Sequence, residues 1–186
     1  MTDQVLKILG CYRSENPGVL TNLARIINHG RLGGTGRVII LPVAQGFEHG
    51  PARSFAPNPP AYDPAYHFQL AIDAGLNAYA SLLGFLEASA ADFAGEIAVD
   101  SQTECPRSAA RRKGPTRCVD SFGLRCSASG VVAIGYTIYP GTAERRLQYE
   151  QLRELASEAR AAGLVVVGGV IRAAAALAKT AKLPLT

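Results

Sequence analysis

The chain has 186 residues, with 19 Lys and Arg against 15 Asp and Glu and a net charge of +4. That length holds one domain with a buried core, yet it falls short of the roughly 250 residues, and at least about 200, of a closed eight-stranded α/β barrel. No apolar run reaches the roughly 18–20 residues of a membrane span, and Met1-Thr2-Asp3-Gln4 lacks the basic start and apolar stretch of a secretory leader, so a cytoplasmic protein with no membrane segment is expected.

In chain order, Asn16-Pro17 reads as the start of the first helix, because Asn caps well and Pro suits the first helical position. Leu20, Leu23, Ala24 and Ile27 give it an apolar face, and Gly30 can end it. Gly33, Gly34 and Gly36 precede a strand over 37–43, whose unbroken apolar character predicts burial on both faces of a parallel sheet. These glycines come before a strand instead of after one, the wrong context for a phosphate-binding loop. Residues 53–64 hold Pro57, Pro59, Pro60 and Pro64 and read as a loop over a mouth or an interface. A helix over 65–74 carries His67, expected to be partly exposed. A strand over 77–80, a helix over 84–93 and a strand from 96 to 99 follow.

Periodicity then stops from about 100 to 130. It resumes in a buried strand from 131, which leads into Tyr139-Pro140-Gly141. Thr142 is placed to cap a helix over 143–162, and a strand follows at 164–167. Residues 168–186 are alanine-rich and read as an irregular or helical tail. Strands alternating with helices imply a parallel sheet with right-handed crossovers, so the expected fold is one incomplete (β/α) barrel domain of about five strands, or an open α/β sheet. Its parts are 1–36, 37–99, the irregular 100–130, 131–167 and 168–186.

Residues 101–130 carry six basic and two acidic side chains, an excess equal to the whole net charge. They lack the interleaved aromatics on which single-strand binders stack bases, so a solvated loop is expected and no nucleic acid. Cys11, Cys105, Cys118 and Cys126 form no C-x-x-C pair and have no histidines at zinc spacing, which predicts reduced thiols and no metal site.

One run concentrates chemistry: Val38-Ile39-Ile40-Leu41-Pro42-Val43-Ala44-Gln45-Gly46-Phe47-Glu48-His49-Gly50-Pro51. An apolar strand that delivers polar side chains at its C-terminal end is how parallel barrels place catalytic groups. The run resembles the first strand of the archaeal-type class I fructose-bisphosphate aldolases, which bacteria also carry, with a pattern close to V-D-Q-G-[LF]-E-H-G-P. Two more blocks are similar. One is 53–95, through Ser54-Phe55-Ala56-Pro57-Asn58-Pro59-Pro60-Ala61-Tyr62 and Gly84-Phe85-Leu86-Glu87. The other is 134–167, around Gly135-Tyr136-Thr137-Ile138-Tyr139-Pro140-Gly141.

The resemblance implies roughly the first five strands of a TIM barrel, a sugar-phosphate substrate, no cofactor and a homo-oligomer. In that family a lysine forms a Schiff base with the ketose carbonyl, a tyrosine relays a proton, and an aspartate after the first strand assists. Here the aspartate position is Ala44. The lysine-bearing strand of the I-L-K-L-N type breaks down at Ala98-Val99-Asp100-Ser101. The W-S-Y-P-R-G strand is replaced by Val167-Gly168-Gly169-Val170-Ile171-Arg172. Lys182, in Ala181-Lys182-Leu183-Pro184, echoes a family K-L-P context.

The candidate catalytic residues are therefore Lys182, Glu48 and His49. The candidate substrate contacts are Gln45, Tyr136 and Tyr139. A coding sequence out of frame over about 100–130 and after 167 would explain both breaks. Three readings follow: an inactive aldolase homologue, an aldol-type transferase using Lys182, or a non-enzymatic module that associates with an intact paralogue.

Overall fold

Five short runs form parallel strands that pair in the order in which they occur along the chain. The computed structural model describes residues 1–44, 50–103 and 130–170. An unexpected helix comes first: α1 (Asp3–Cys11) is capped by Thr2, whose hydroxyl accepts from Val5 N at 3.4 Å. Only Val5 of this helix is buried, so its apolar pattern gave weak notice of it. The expected helix follows as α2 (Pro17–Asn28), with the Asn16 side chain accepting from Val19 N at 3.0 Å.

β1 (Ile40–Val43) is shorter than expected. Val38 and Ile39 precede it, 40% and 50% exposed. The proline-rich stretch is not a plain loop. It forms α3 (Pro51–Phe55), a 3-10 turn (Pro59–Tyr62) and the start of α4 (Pro64–Asp73), each opening on a proline. The missing N–H of proline costs nothing in a first helical turn, where that donor would have no partner. Asp63 caps α4 through Ala65 N at 2.9 Å.

β2 (Ala78–Leu82) leads into α5 (Leu83–Ser89), and the single helix expected over 84–93 breaks at a 3-10 turn (Ala90–Phe93). β3 (Ala98–Thr103), β4 (Ala133–Ile138), α6 (Arg145–Ala161) and β5 (Val165–Val170) complete the order. Thr142 does not cap α6: its hydroxyl donates to Tyr139 O at 2.9 Å, and Glu144 holds the cap position without a side-chain bond.

Both expected breaks fall later than the pattern suggests. β3 continues through Asp100-Ser101-Gln102-Thr103, and β5 through Gly168-Gly169-Val170. Polar residues and glycine are poor strand formers, but ladders to β2 and β4, and to β4 again, override that preference. Residues 168–170 are therefore strand and not helix.

The sheet has two unlike faces. One packs Val43, Tyr79, Val99, Ile134 and Tyr136 against α4, α5 and α6, through Phe68, Leu86 and Leu155. The other holds Ala78, Ala98 and Ala133, closed by Ile26 of α2. α2 crosses the N-terminal ends of the strands. Asn77, fully buried before β2, donates to Ile26 O at 3.2 Å and His29 O at 2.6 Å, and accepts from Ile39 N at 2.8 Å. From the middle of α2 the Asn22 side chain donates to Gly163 O at 2.8 Å. Gly18 packs so close there that a Cβ would lie 3.0 Å from the Gly163 Cα. The result is the first five strands of a (β/α) barrel with helices on the outside.

Candidate functional site

Because all five strands run parallel, their C-terminal ends share one side of the sheet, where barrels of this kind place their chemistry. Ala44 directly follows β1 there, half-buried, with a methyl that can neither give nor take a proton. Gln45, Glu48 and His49 belong to the next five residues, and Lys182 to the last sixteen. All four lie outside the described residues. The described residues contain one lysine, Lys7 on α1, away from these strand ends.

Tyr136 and Tyr139 are described, and the structure separates them. Tyr136 is 4% exposed on the helix-facing side, and its hydroxyl donates to Gln151 Oε1 at 2.8 Å. Tyr139 follows the end of β4, half-buried. Its backbone N–H donates to Gln148 Oε1 at 2.8 Å, which ties the β4–α6 turn to α6. His67 corrects the expectation of partial exposure. It is 5% exposed, its Nε2 lies 2.9 Å from Ala61 O, and its ring stacks parallel to Tyr79 at 6.4 Å. It is a core residue on the buried face of α4. Tyr79 itself has its phenol pushed up to about 12 by burial, with Ser81 beside it pulling the other way.

The residue that pattern reading missed is Asp100. Strand register sets one row across the whole sheet: Pro42, Ala80, Asp100, Ala133 and Val165. Asp100 is 2% exposed on this inward face, and its Oδ1 has no hydrogen-bond partner among the described residues. Burial raises its carboxyl to about 7, opposed by a hydrogen bond from the Gly135 backbone. The only hint in the sequence was an acidic residue straight after Ile97-Ala98-Val99, which read as the end of the strand.

Among the described residues no three His, Cys, Asp or Glu side chains group as a metal site, and Cys11 is an exposed free thiol. No helix among them is long and apolar enough to cross a membrane. A cavity of about 550 Å³ opens at the opposite, N-terminal end of the strands, between Arg25 and His29 of α2 and Phe93, Ile97 and Val132. In barrels that end serves stability.

Relatives are consistent with this geometry. A probable class 1 fructose-bisphosphate aldolase of Chlamydia muridarum is 33% identical over 158 residues, 82% of this chain and 44% of that protein. The Chlamydia pneumoniae counterpart is 33% identical over 168 residues, 89% of this chain and 47% of that protein. The class 1 fructose-bisphosphate aldolase of Thermoproteus tenax is 30% identical over 124 residues, 67% and 45% of the two chains. This chain thus spans about half the length of the curated relatives it matches. Among solved structures, an archaeal fructose-1,6-bisphosphate aldolase whose catalytic lysine is bound to the carbinolamine intermediate superposes with a TM-score of 0.61. It is 27% identical, and the match covers 79% of this chain and 55% of that one. The aldolase of Slackia heliotrinireducens shares the fold at a TM-score of 0.67 and 21% identity, over 90% and 54% of the two chains. No family model matches the chain.

Proposed function

The chain belongs to the class I fructose-bisphosphate aldolase family, and from that premise we propose that it frames a ketose-phosphate site without performing the lyase reaction itself. The observation that carries this is Ala44, placed straight after β1 at the chemical end of the sheet. Cleavage of fructose 1,6-bisphosphate to dihydroxyacetone phosphate and glyceraldehyde 3-phosphate needs a lysine to make the imine and acid–base groups to move protons. Ala44 supplies no proton transfer. In this reading Gln45, Glu48, His49 and Tyr139 shape the sugar-phosphate end, whereas Lys182 is the amine that an active aldol-type enzyme would use instead. The setting is cytoplasmic, without nucleic acid or membrane.

Borohydride reduction in the presence of dihydroxyacetone phosphate or fructose 1,6-bisphosphate, followed by mass spectrometry, tests the reading. The expected result is no adduct and no triose phosphate released. A reduced adduct on Lys182 overturns it in favour of an active aldol-type enzyme.

A second reading has its own observation. β1 and β5 each pair on one side only among the described residues, and such edges invite association. The chain would then be a non-enzymatic module bound to a full-length aldolase or to further copies of itself. Co-purification with a full-length aldolase supports it, and a monomer in sedimentation with that aldolase present counts against it.

A further inference from the structure

We propose that Asp100 makes the inner face of the sheet a proton-gated switch: the β3–β4 seam is tight while the carboxyl holds its proton and loosens when the proton leaves. Three observations meet at this side chain. It is almost wholly buried, its Oδ1 has no partner among the described residues, and it stands in the middle of the row that crosses all five strands. Its neighbours in that row are Pro42, Ala80, Ala133 and Val165. The rows on either side hold Ala78 and Ala98, then Leu82, Gln102, Gly135 and Val167. None of these carries an ionisable group. α2, the helix packed on this face, contributes Ile26, while its Arg25 and His29 line the cavity beside Ala98 and Val132. Among the described residues, a backbone N–H from Gly135 is the one hydrogen bond that favours the charged form. A carboxylate in such surroundings is far more costly than a carboxylic acid.

The sign follows from linkage. The folded state keeps the proton up to about pH 7, whereas an unfolded aspartate releases it near 3.8. Below the lower value both states are protonated and pH has no effect through this group. Between the two the unfolded state binds fewer protons, so stability falls as pH rises. Above about 7 the loss is complete. A separation of that size corresponds to a loss of about 10³-fold in the folding equilibrium constant, and relaxation around the charge brings it down toward tenfold. Because Asp100 sits at the seam, the loosening is local to β3 and β4 before it is global.

The test uses the whole chain. Urea unfolding is followed from pH 5 to 8.5 for the natural protein and for Asp100→Asn and Asp100→Ala, alongside ¹³C titration of the Asp100 carboxyl. Amide exchange, referenced to each residue's intrinsic rate, reports the seam. The natural protein is expected to lose at least tenfold in its folding constant, with protection lost first in β3 and β4. Asp100→Asn is expected to be more stable than the natural protein at pH 8 and to lack that part of the slope. Both variants keep every other ionisable side chain, so the difference between proteins isolates Asp100. A carboxyl that titrates near 4, or a pH profile shared by the natural protein and Asp100→Asn, overturns the proposal. If neither variant folds, the ¹³C titration alone decides it.

Discussion

The two faces of the sheet are built by opposite rules. On the helix side, large groups fill the space: Tyr79, Phe68, Leu86 and Ile134 are fully buried. Phe68 stands edge-on to Tyr79 at 4.6 Å and stacks on Phe93 at 4.9 Å. On the inward side, alanines at 78, 98 and 133 leave little volume, and a lone acid sits among them. The outer face supplies most of the apolar burial, worth about 1.5–3 kcal/mol for each large side chain. The inner face supplies shape. A barrel needs that division, since the groups that do chemistry must be held by something else.

The comparison breaks most readily on the outer face. Phe68→Ala removes a ring in contact with two others and leaves a cavity, and a loss of about 3–5 kcal/mol in urea unfolding is expected. Asn77→Ala strikes the joint between the faces. It strands the Ile39 N–H and the carbonyls of Ile26 and His29, so a loss of about 2–4 kcal/mol is expected, with α2 the first element to lose amide protection. On the inner face the cost comes from adding volume. Ala133→Leu puts three carbons where there is no room and is expected to cost about 1–3 kcal/mol, whereas the same change on a helix surface is close to neutral. Asn16→Ala gives the smallest effect, about 1 kcal/mol, because it removes a cap bond to Val19 N and the bond its amide makes to Arg160 O. If Ala133→Leu proved harmless, the inner face would be loosely packed, and the case for Asp100 would weaken with it.

Much of this was legible beforehand. Apolar runs marked where the strands begin, and Asn16-Pro17 marked the start of α2 to the residue. The Val38–Pro51 run pointed to its family, and relatives from Chlamydia and Thermoproteus agree. Ala44 was already visible as the missing acid. Other features were hidden for physical reasons. α1 buries a single residue, so its pattern was faint. Prolines that start helical turns look the same in a string as prolines that fill a loop. His67 is buried because α4 lies over β2, and nothing in its own neighbourhood of sequence requires that.

By itself the sequence determined the alternation of strands and helices, the parallel sheet that this alternation demands, and the identity of the residue after β1. These follow from local pattern and from the short reach of a crossover. Only the tertiary structure decided where β3 and β5 end and which face Asp100 takes. Strand register is a property of neighbours: ladders from β2 and β4 carry Asp100-Ser101-Gln102-Thr103 onward as strand despite poor propensity. Once that register is set, the alternation of side chains sends Asp100 inward, to a row where no other side chain carries a charge.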